Sequence, residues 1–283
     1  MKIRHKLLIE DYFKEKIKSI QSLEGGCTAS TDKITLENLC VLAKVDEPPR
    51  LKSEILGIKT IAESGSIKTP KILFHDNDLL VTEWIDSRPS LPSDYQNLAT
   101  GLRKLHKDQS DFFGLKEDNF LGASFQINTP ELSVSEGWEI FFWEYRLKPQ
   151  LLNAAKHYAF LSNDIDRLKE ATFERLQGVE SSRLIHGDLW SGNILIDSQN
   201  SDLYLIDPAI YYGDADAEFG LIECFGGLPK LFYKSYYENS TGVIELENKI
   251  EVYKLYHLLN HLNIFGTGYL KQCQKVIEKL LKP

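Results

Sequence analysis

One stretch limits what this chain can fold into more than any other: His186-Gly187-Asp188-Leu189-Trp190-Ser191-Gly192-Asn193, followed by Asp207-Pro208-Ala209. An apolar pair, Leu184-Ile185, leads into it, and Ile194-Leu195-Ile196 leaves it. A second apolar run, Leu203-Tyr204-Leu205-Ile206, delivers Asp207. Residues 197–202 read Asp-Ser-Gln-Asn-Ser-Asp, the composition of a turn joining two hairpin strands. Two carboxylates and an amide therefore ride on one hairpin. Without a cation nearby, such a set is costly to bury, so the spacing reads as a site rather than a chance turn.

An Asp, an Asn five residues on and an Asp fourteen beyond that is the layout of a phosphoryl-transfer loop. In it Asp188 receives the proton of an attacking hydroxyl. Asn193 and Asp207 are hard oxygen donors suited to Mg²⁺ on ATP phosphates. Upstream, Lys44 interrupts the apolar strand Val41-Leu42-Ala43-Lys44-Val45, where it would neutralise the α/β-phosphates. Glu54 lies near the start of a helix over 51–64 and is its expected ion-pair partner. The loop Gly25-Gly26-Cys27 lets backbone approach a phosphate closely, although a glycine pair also makes an ordinary hairpin turn. Glu83-Trp84-Ile85-Asp86, just before Pro89 and Pro92, is the expected crossing whose backbone meets the adenine edge.

Periodicity predicts helix over 7–18, then strands over 20–23, 30–36, 39–45, 71–74 and 79–83. The expected architecture is α+β, a two-lobed protein-kinase-like fold. Residues 1–86 form a small nucleotide-binding lobe with a five-stranded antiparallel sheet and one helix. Residues 87–283 form a larger, mainly helical catalytic and substrate-binding lobe that carries the hairpin. Helices are expected over 95–106, an aromatic 138–152, 163–177, 217–224, 230–237, 246–265 and 270–281, with a long loop before 137. His257 and His261 share a helix face without an HExxH pattern, which indicates packing or pocket lining rather than zinc.

A net charge of −8 argues against nucleic acid and anionic membrane as partners. No apolar run approaches spanning length, and the apolar stretch after the basic N-terminus is too short for a signal peptide. Cys27, Cys40, Cys224 and Cys273 include no CxxC pair, so a reducing cytoplasm is expected. Only ten residues separate Asp207 from Glu218, and none is Ser or Thr. That leaves no room for an activation segment or a peptide-docking platform, so the acceptor should be small.

Together these residues resemble the fructosamine kinase (ketosamine 3-kinase) family, within the aminoglycoside phosphotransferase and choline kinase-like group. His186, Asp188, Asn193 and Asp207 carry the group-level likeness. The family-level likeness rests on the HGDLWSGN block with Trp190, on Tyr212-Gly213-Asp214, Phe225-Gly226-Gly227 and Leu255-Tyr256-His257-Leu258-Leu259-Asn260, and on Gly25-Gly26-Cys27, Asn119-Phe120-Leu121-Gly122, Phe141-Phe142 and Arg146-Leu147. The resemblance implies ATP- and Mg²⁺-dependent phosphorylation of the sugar 3-hydroxyl of ketosamines, either free or on protein lysines. Loss of the phosphorylated sugar then returns the amine, a deglycation repair. It further implies substrate contacts from Trp190, His257 and Asn260, and a redox-sensitive Cys27 able to link a homodimer of an otherwise monomeric chain. Bacterial relatives often carry Arg-Glu-x-Asp where this chain has Ala215-Asp216-Ala217-Glu218, which makes Glu218 the acidic brace of the loop. Two alternatives stay open: another small-molecule kinase of the same group, or an inactive redox-sensing nucleotide-binding protein.

Overall fold

Alternation of apolar and polar residues along 30–45 sets up a sheet with two working faces. In a computed structural model, which describes residues 1–23, 29–128, 132–237 and 240–282, five strands pair antiparallel in the order β1-β2-β3-β5-β4. These are β1 (Ser19–Leu23), β2 (Ser30–Thr35), β3 (Cys40–Val45), β4 (Ile72–Asp76) and β5 (Leu79–Glu83). Because side chains alternate along a strand, Ile34, Val41, Ala43, Leu79 and Val81 face helix α1 (Ile3–Phe13) and bury with Ile9. Leu80 takes the other face, against Leu51 and Ile58 of helix α2 (Pro48–Glu63).

Two helices therefore flank the sheet, where one was counted from the sequence. The first also ends earlier than the expected residue 18. Lys14 turns left-handed at φ 56°, and the Glu10 carboxylate accepts the backbone N–H of Ile17 at 3.0 Å, fixing the chain's exit. The second begins on a proline pair, whose fixed φ suits a first turn that needs no N–H donor.

The next strand, Ser87–Arg88, already belongs to a different sheet. It pairs with Ile194–Asp197, which pairs in turn with Leu203–Leu205. A second small sheet joins Ser182–Ile185 to Tyr211–Gly213 and to Gln109–Ser110. Segment 207–218 therefore returns to the sheet within a few residues of Asp207. Around both sheets, helices close over an aromatic core centred on Trp138, whose ring lies 5.1–5.6 Å from those of Phe113, Phe141 and Phe142.

Residues 138–155 run as one helical segment with a π turn at Trp143–Leu147. Arg146 leaves that turn pointing inward. It is 1% exposed, and its guanidinium lies 4.3 Å from the Tyr211 ring. The expected loop before residue 137 contains short antiparallel strand pairs instead, Asn119–Leu121 with Ser124–Gln126 and Phe112–Phe113 with Leu132–Ser133. Their buried amides disguise them as loop in sequence. Asn119 donates to Ile210 O at 2.7 Å, while Gln126 and Asn128 donate to Asn119 Oδ1. Among the described residues, no helix is long and apolar enough to cross a membrane.

Candidate active site

The His186–Asp188 turn and the Asp207–Ala209 turn lock together through their backbones. Ala209 N–H donates to His186 O at 2.9 Å. Gly187 has φ +80°, and a Cβ there would fall 2.3 Å from Ala209 O, so only glycine fits this crossing. The His186 ring bridges the two turns: its Nε2 lies 2.9 Å from Ile206 O, and its Nδ1 accepts Asp188 N–H at 3.3 Å. Burial lowers the pKa of this histidine, which keeps the ring a neutral clamp.

Asn193 donates Nδ2–H to Asp188 O at 2.8 Å, with the Asp188 carboxylate 3.4 Å away. With its nitrogen committed, the amide oxygen is what Asn193 can offer a cation. Asp207 is held at φ 53°, a left-handed conformation that non-glycine residues adopt mainly at constrained sites.

Helix α2 reaches this hairpin at Gly57, where a side chain would meet the Pro208 ring. That contact carries Glu54 to the cleft. Lys44 Nζ lies 2.7 Å from Glu54 and 2.8 Å from Asp207, so the expected ion pair is present and extends to a third group. Burial disfavours the Lys44 charge, but the two carboxylates outweigh it and raise its pKa. Burial also pushes Glu54 up to about 7 against the pull of Lys44. Asp207 stays below the usual carboxylate range, because the Lys44 ammonium outweighs burial there. Asp188 is pushed up to about 7, first by burial and then by the charge of Asp207.

The loop backbone is braced from below. Glu218, 1% exposed, accepts N–H from His186 at 2.6 Å and from Gly187 at 3.1 Å. His106 Nε2 stands 3.4 Å from the same carboxylate, and its other nitrogen meets the Tyr236 hydroxyl. Burial alone would raise the Glu218 pKa, but these partners hold it low.

Two adjoining cavities share Lys44, Glu54 and Asp207. One is mostly apolar, with Leu42, Leu80, Trp84, Ile85 and Leu195 on its walls. Glu83 also lines it, although its carboxylate is occupied by the backbone N–H of Lys71 at 2.9 Å. Asp86 is not among the lining residues; its carbonyl accepts Ser198 N–H at 2.8 Å. The other cavity is more polar than the first and holds Asp188, Asn193, Trp190, Phe120 and Arg50. Gly25, Gly26 and Cys27 lie outside the described residues.

A family model described as fructosamine kinase matches residues 1–283. The chain belongs to the fructosamine kinase family. A chloroplastic protein-ribulosamine 3-kinase of rice (Oryza sativa subsp. japonica) is 33% identical over 282 residues, covering 94% of this chain and 80% of the relative. A probable ketoamine kinase of Synechocystis is 29% identical over 278 residues, 94% and 92% of the two chains. Among solved structures, one from Haemophilus somnus assigned as a fructosamine-3-kinase superposes with a TM-score of 0.85 at 23% identity, over 98% of this chain and 97% of that one. An aminoglycoside phosphotransferase in complex with streptomycin and ATP gives 0.64 at 15% identity, over 100% and 97%. At these identities the likeness is one of fold, two-lobed and kinase-like.

For a fructosamine kinase family member, the positions implied by resemblance divide in two. Trp190 lines the polar cavity beside Asp188. His257 and Asn260 do not. They are 4% and 3% exposed, Asn260 Oδ1 accepts from Gln150 at 3.2 Å, and burial drives the His257 pKa down to about 3. Sequence reading missed Arg50, whose guanidinium is gripped by Asp46 through Nε at 2.9 Å and Nη2 at 2.6 Å. It also missed Phe120. The spacing of Asp46 and Arg50 at i, i+4 was the only signal for the first, and it is shared by many surface pairs.

Proposed function

We propose that this chain is an ATP-dependent ketosamine 3-kinase, which phosphorylates the sugar 3-hydroxyl of fructosamine or ribulosamine adducts and so starts their removal from amines and protein lysines. One observation carries this reading. In a chain of the fructosamine kinase family, Asp188 and the Lys44–Glu54–Asp207 cluster line one cavity.

The donor set fits a divalent cation. Two carboxylates and an amide oxygen are hard ligands, and the raised pKa of Asp188 marks a place short of positive charge. Among the described residues, no cluster of three or more His, Cys, Asp or Glu would hold a metal alone. This suits Mg²⁺, which is commonly held by one or two protein ligands together with phosphates. Asn193 and Asp207 would hold it, and when bound it neutralises charge on the ATP phosphates.

The chain's own residues then do the following. Lys44, oriented by Glu54, neutralises the α/β-phosphates. The apolar cavity takes the adenine beside the 83–86 crossing. Asp188 accepts the proton of the 3-hydroxyl as that oxygen bonds to the γ-phosphorus and the bridging P–O bond to ADP breaks. The reaction needs positioning and charge neutralisation rather than covalent help, and Glu218 supplies positioning by fixing the loop backbone.

A division into lobes at 86/87 is supported by Ser87–Arg88, a strand that pairs in the hairpin's sheet. The described cysteines Cys40, Cys224 and Cys273 are free thiols, in keeping with a cytoplasmic enzyme. A Cys27-linked homodimer is testable by non-reducing electrophoresis after mild oxidation, where Cys27→Ala should stay monomeric.

To test the function, purified protein is given ATP, Mg²⁺ and a panel of fructose-lysine, ribulose-lysine, choline and an aminoglycoside. ADP release is expected with the ketosamines. Release with choline or the aminoglycoside alone would reassign it to another small-molecule kinase, and release with none would leave a non-catalytic nucleotide-binding protein.

A further inference from the structure

We propose that the aromatic shelf Trp190–Phe225–His261–Phe265, exposed at Trp190, Phe225 and Phe265 with His261 half-buried between the two phenylalanines, is the binding site for the amine-bearing arm of the substrate, and that it takes an extended alkylammonium arm such as a lysine side chain. The inference rests on the ketosamine reading and names the part of the substrate that the catalytic residues do not reach.

The shelf begins in the wall of the catalytic cavity. Trp190 lines that cavity with Asp188, and its indole lies along Gly192, where a Cβ would fall 2.4 Å from ring atoms. Glycine at this position lets the indole lie flat against the loop and leaves it 37% exposed at the cavity's lip. From there the rings continue outward. Phe225 is 6.0 Å from Trp190, His261 is 5.5 Å from Phe225, and Phe265 is 5.5 Å from His261.

Nothing in the local sequence requires Phe225 to sit at the surface, and the backbone puts it there. The helix before it, Phe219–Cys224, ends with Phe225 and Gly227 both donating N–H to Ile222 O at 3.0 Å. Gly226 and Gly227 take φ of +102° and +74°. That turn reverses the chain just past Phe225 and leaves its ring 51% exposed, with Phe265 at 47%. Large aromatic rings left in water in a continuous row mark a binding surface more often than isolated exposed residues do.

Substrate chemistry decides what would cover them. In a ketosamine the nitrogen is carried by C1, three carbons from the reacting 3-hydroxyl oxygen. With that hydroxyl at Asp188, the nitrogen and its substituent must leave the cavity within a short distance, and Trp190's wall continues as the longer of two aromatic surfaces, the other being Phe120 with Phe125. A protonated secondary amine is attracted to the faces of aromatic rings, and an alkyl stem can pack along them. His261 does not oppose this. Its Nδ1 is 2.8 Å from His257 O, and burial lowers its pKa, so it stands in the row as a neutral ring.

The test compares adducts of one sugar on two amines, ethylamine and the ε-amine of Nα-acetyl-lysine, with wild type, Phe225→Ala and Phe265→Ala. Wild type is expected to show a KM for the lysine adduct about tenfold below that for the ethylamine adduct, the size of about two further methylenes buried on the rings. In both variants that ratio should fall towards one, while the KM for ATP stays at the wild-type value. A ratio that persists in both variants, or wild-type turnover with equal KM values, overturns the shelf. Failure of wild type to turn over either adduct overturns the ketosamine reading itself.

Discussion

In the proposed reaction Asp188 accepts a proton while standing among other carboxylates. Burial and the charge of Asp207 push its pKa up to about 7, close to working pH, where a general base combines ionisation with proton affinity. Replacing it by Asn keeps the shape and removes the base. Asp188→Asn should lower kcat by about 10²–10⁴-fold while ATP binding, followed by calorimetry, persists; near-wild-type turnover would remove Asp188 from that role. Gly192 makes a second residue-scale claim. Gly192→Ala would displace the Trp190 indole, since the new Cβ would meet it at 2.4 Å. The expected result is a severalfold higher KM for ketosamine with an unchanged KM for ATP, and steady-state kinetics would show it.

The hairpin works as an element because a buried carboxylate holds its backbone. Removing the Glu218 side chain leaves the N–H groups of His186 and Gly187 without their acceptor. Each unmet buried donor costs about 1–3 kcal/mol, so Glu218→Ala should lose about 2–6 kcal/mol in denaturant unfolding. Glu218→Gln keeps one acceptor oxygen and should fall between the two, with kcat reduced more than the KM for ATP. The hairpin was legible in sequence because its chemistry is local: turn residues fix where Asp188, Asn193 and Asp207 point relative to one another. Lys44 and Glu54 were legible because strand alternation and helix periodicity place each on a definite face. His257 and Asn260 were not, since which face of the Ser240–Phe265 helix meets the cleft is decided by packing against the Trp138 core. The buried amides Asn119, Gln126 and Asn128 likewise read as loop residues until Ile210 O supplied a partner.

Across the whole molecule, the segment after Asp207 is anchored by charges that look like surface residues in sequence. Lys249 lies 2.9 Å from Asp214 and 3.0 Å from Asp216, and Tyr253 and Tyr237 donate to the same pair at 2.6 Å each. Burial, then the Asp214 charge, raises Asp216 to about 6 from an ordinary 3.8, against the pull of Lys249. The folded protein therefore holds this proton more tightly than the unfolded chain. The stability that Asp216 contributes is full below its unfolded value and is lost as pH rises through about 6. The melting temperature of wild type minus that of Asp216→Asn should fall between about pH 4 and 6 and then level off; a difference that grows over that range contradicts the assignment.

The central claim is that Asp188 and the Lys44–Glu54–Asp207 cluster together phosphorylate a ketosamine at its 3-hydroxyl. Mass spectrometry and ³¹P NMR of the product formed from ribulose-lysine, ATP and Mg²⁺ test it most directly. A 3-phosphate ester is expected with wild type and a near-complete loss of it with Asp188→Asn. A phosphate at another hydroxyl, or the same yield from both proteins, would contradict it.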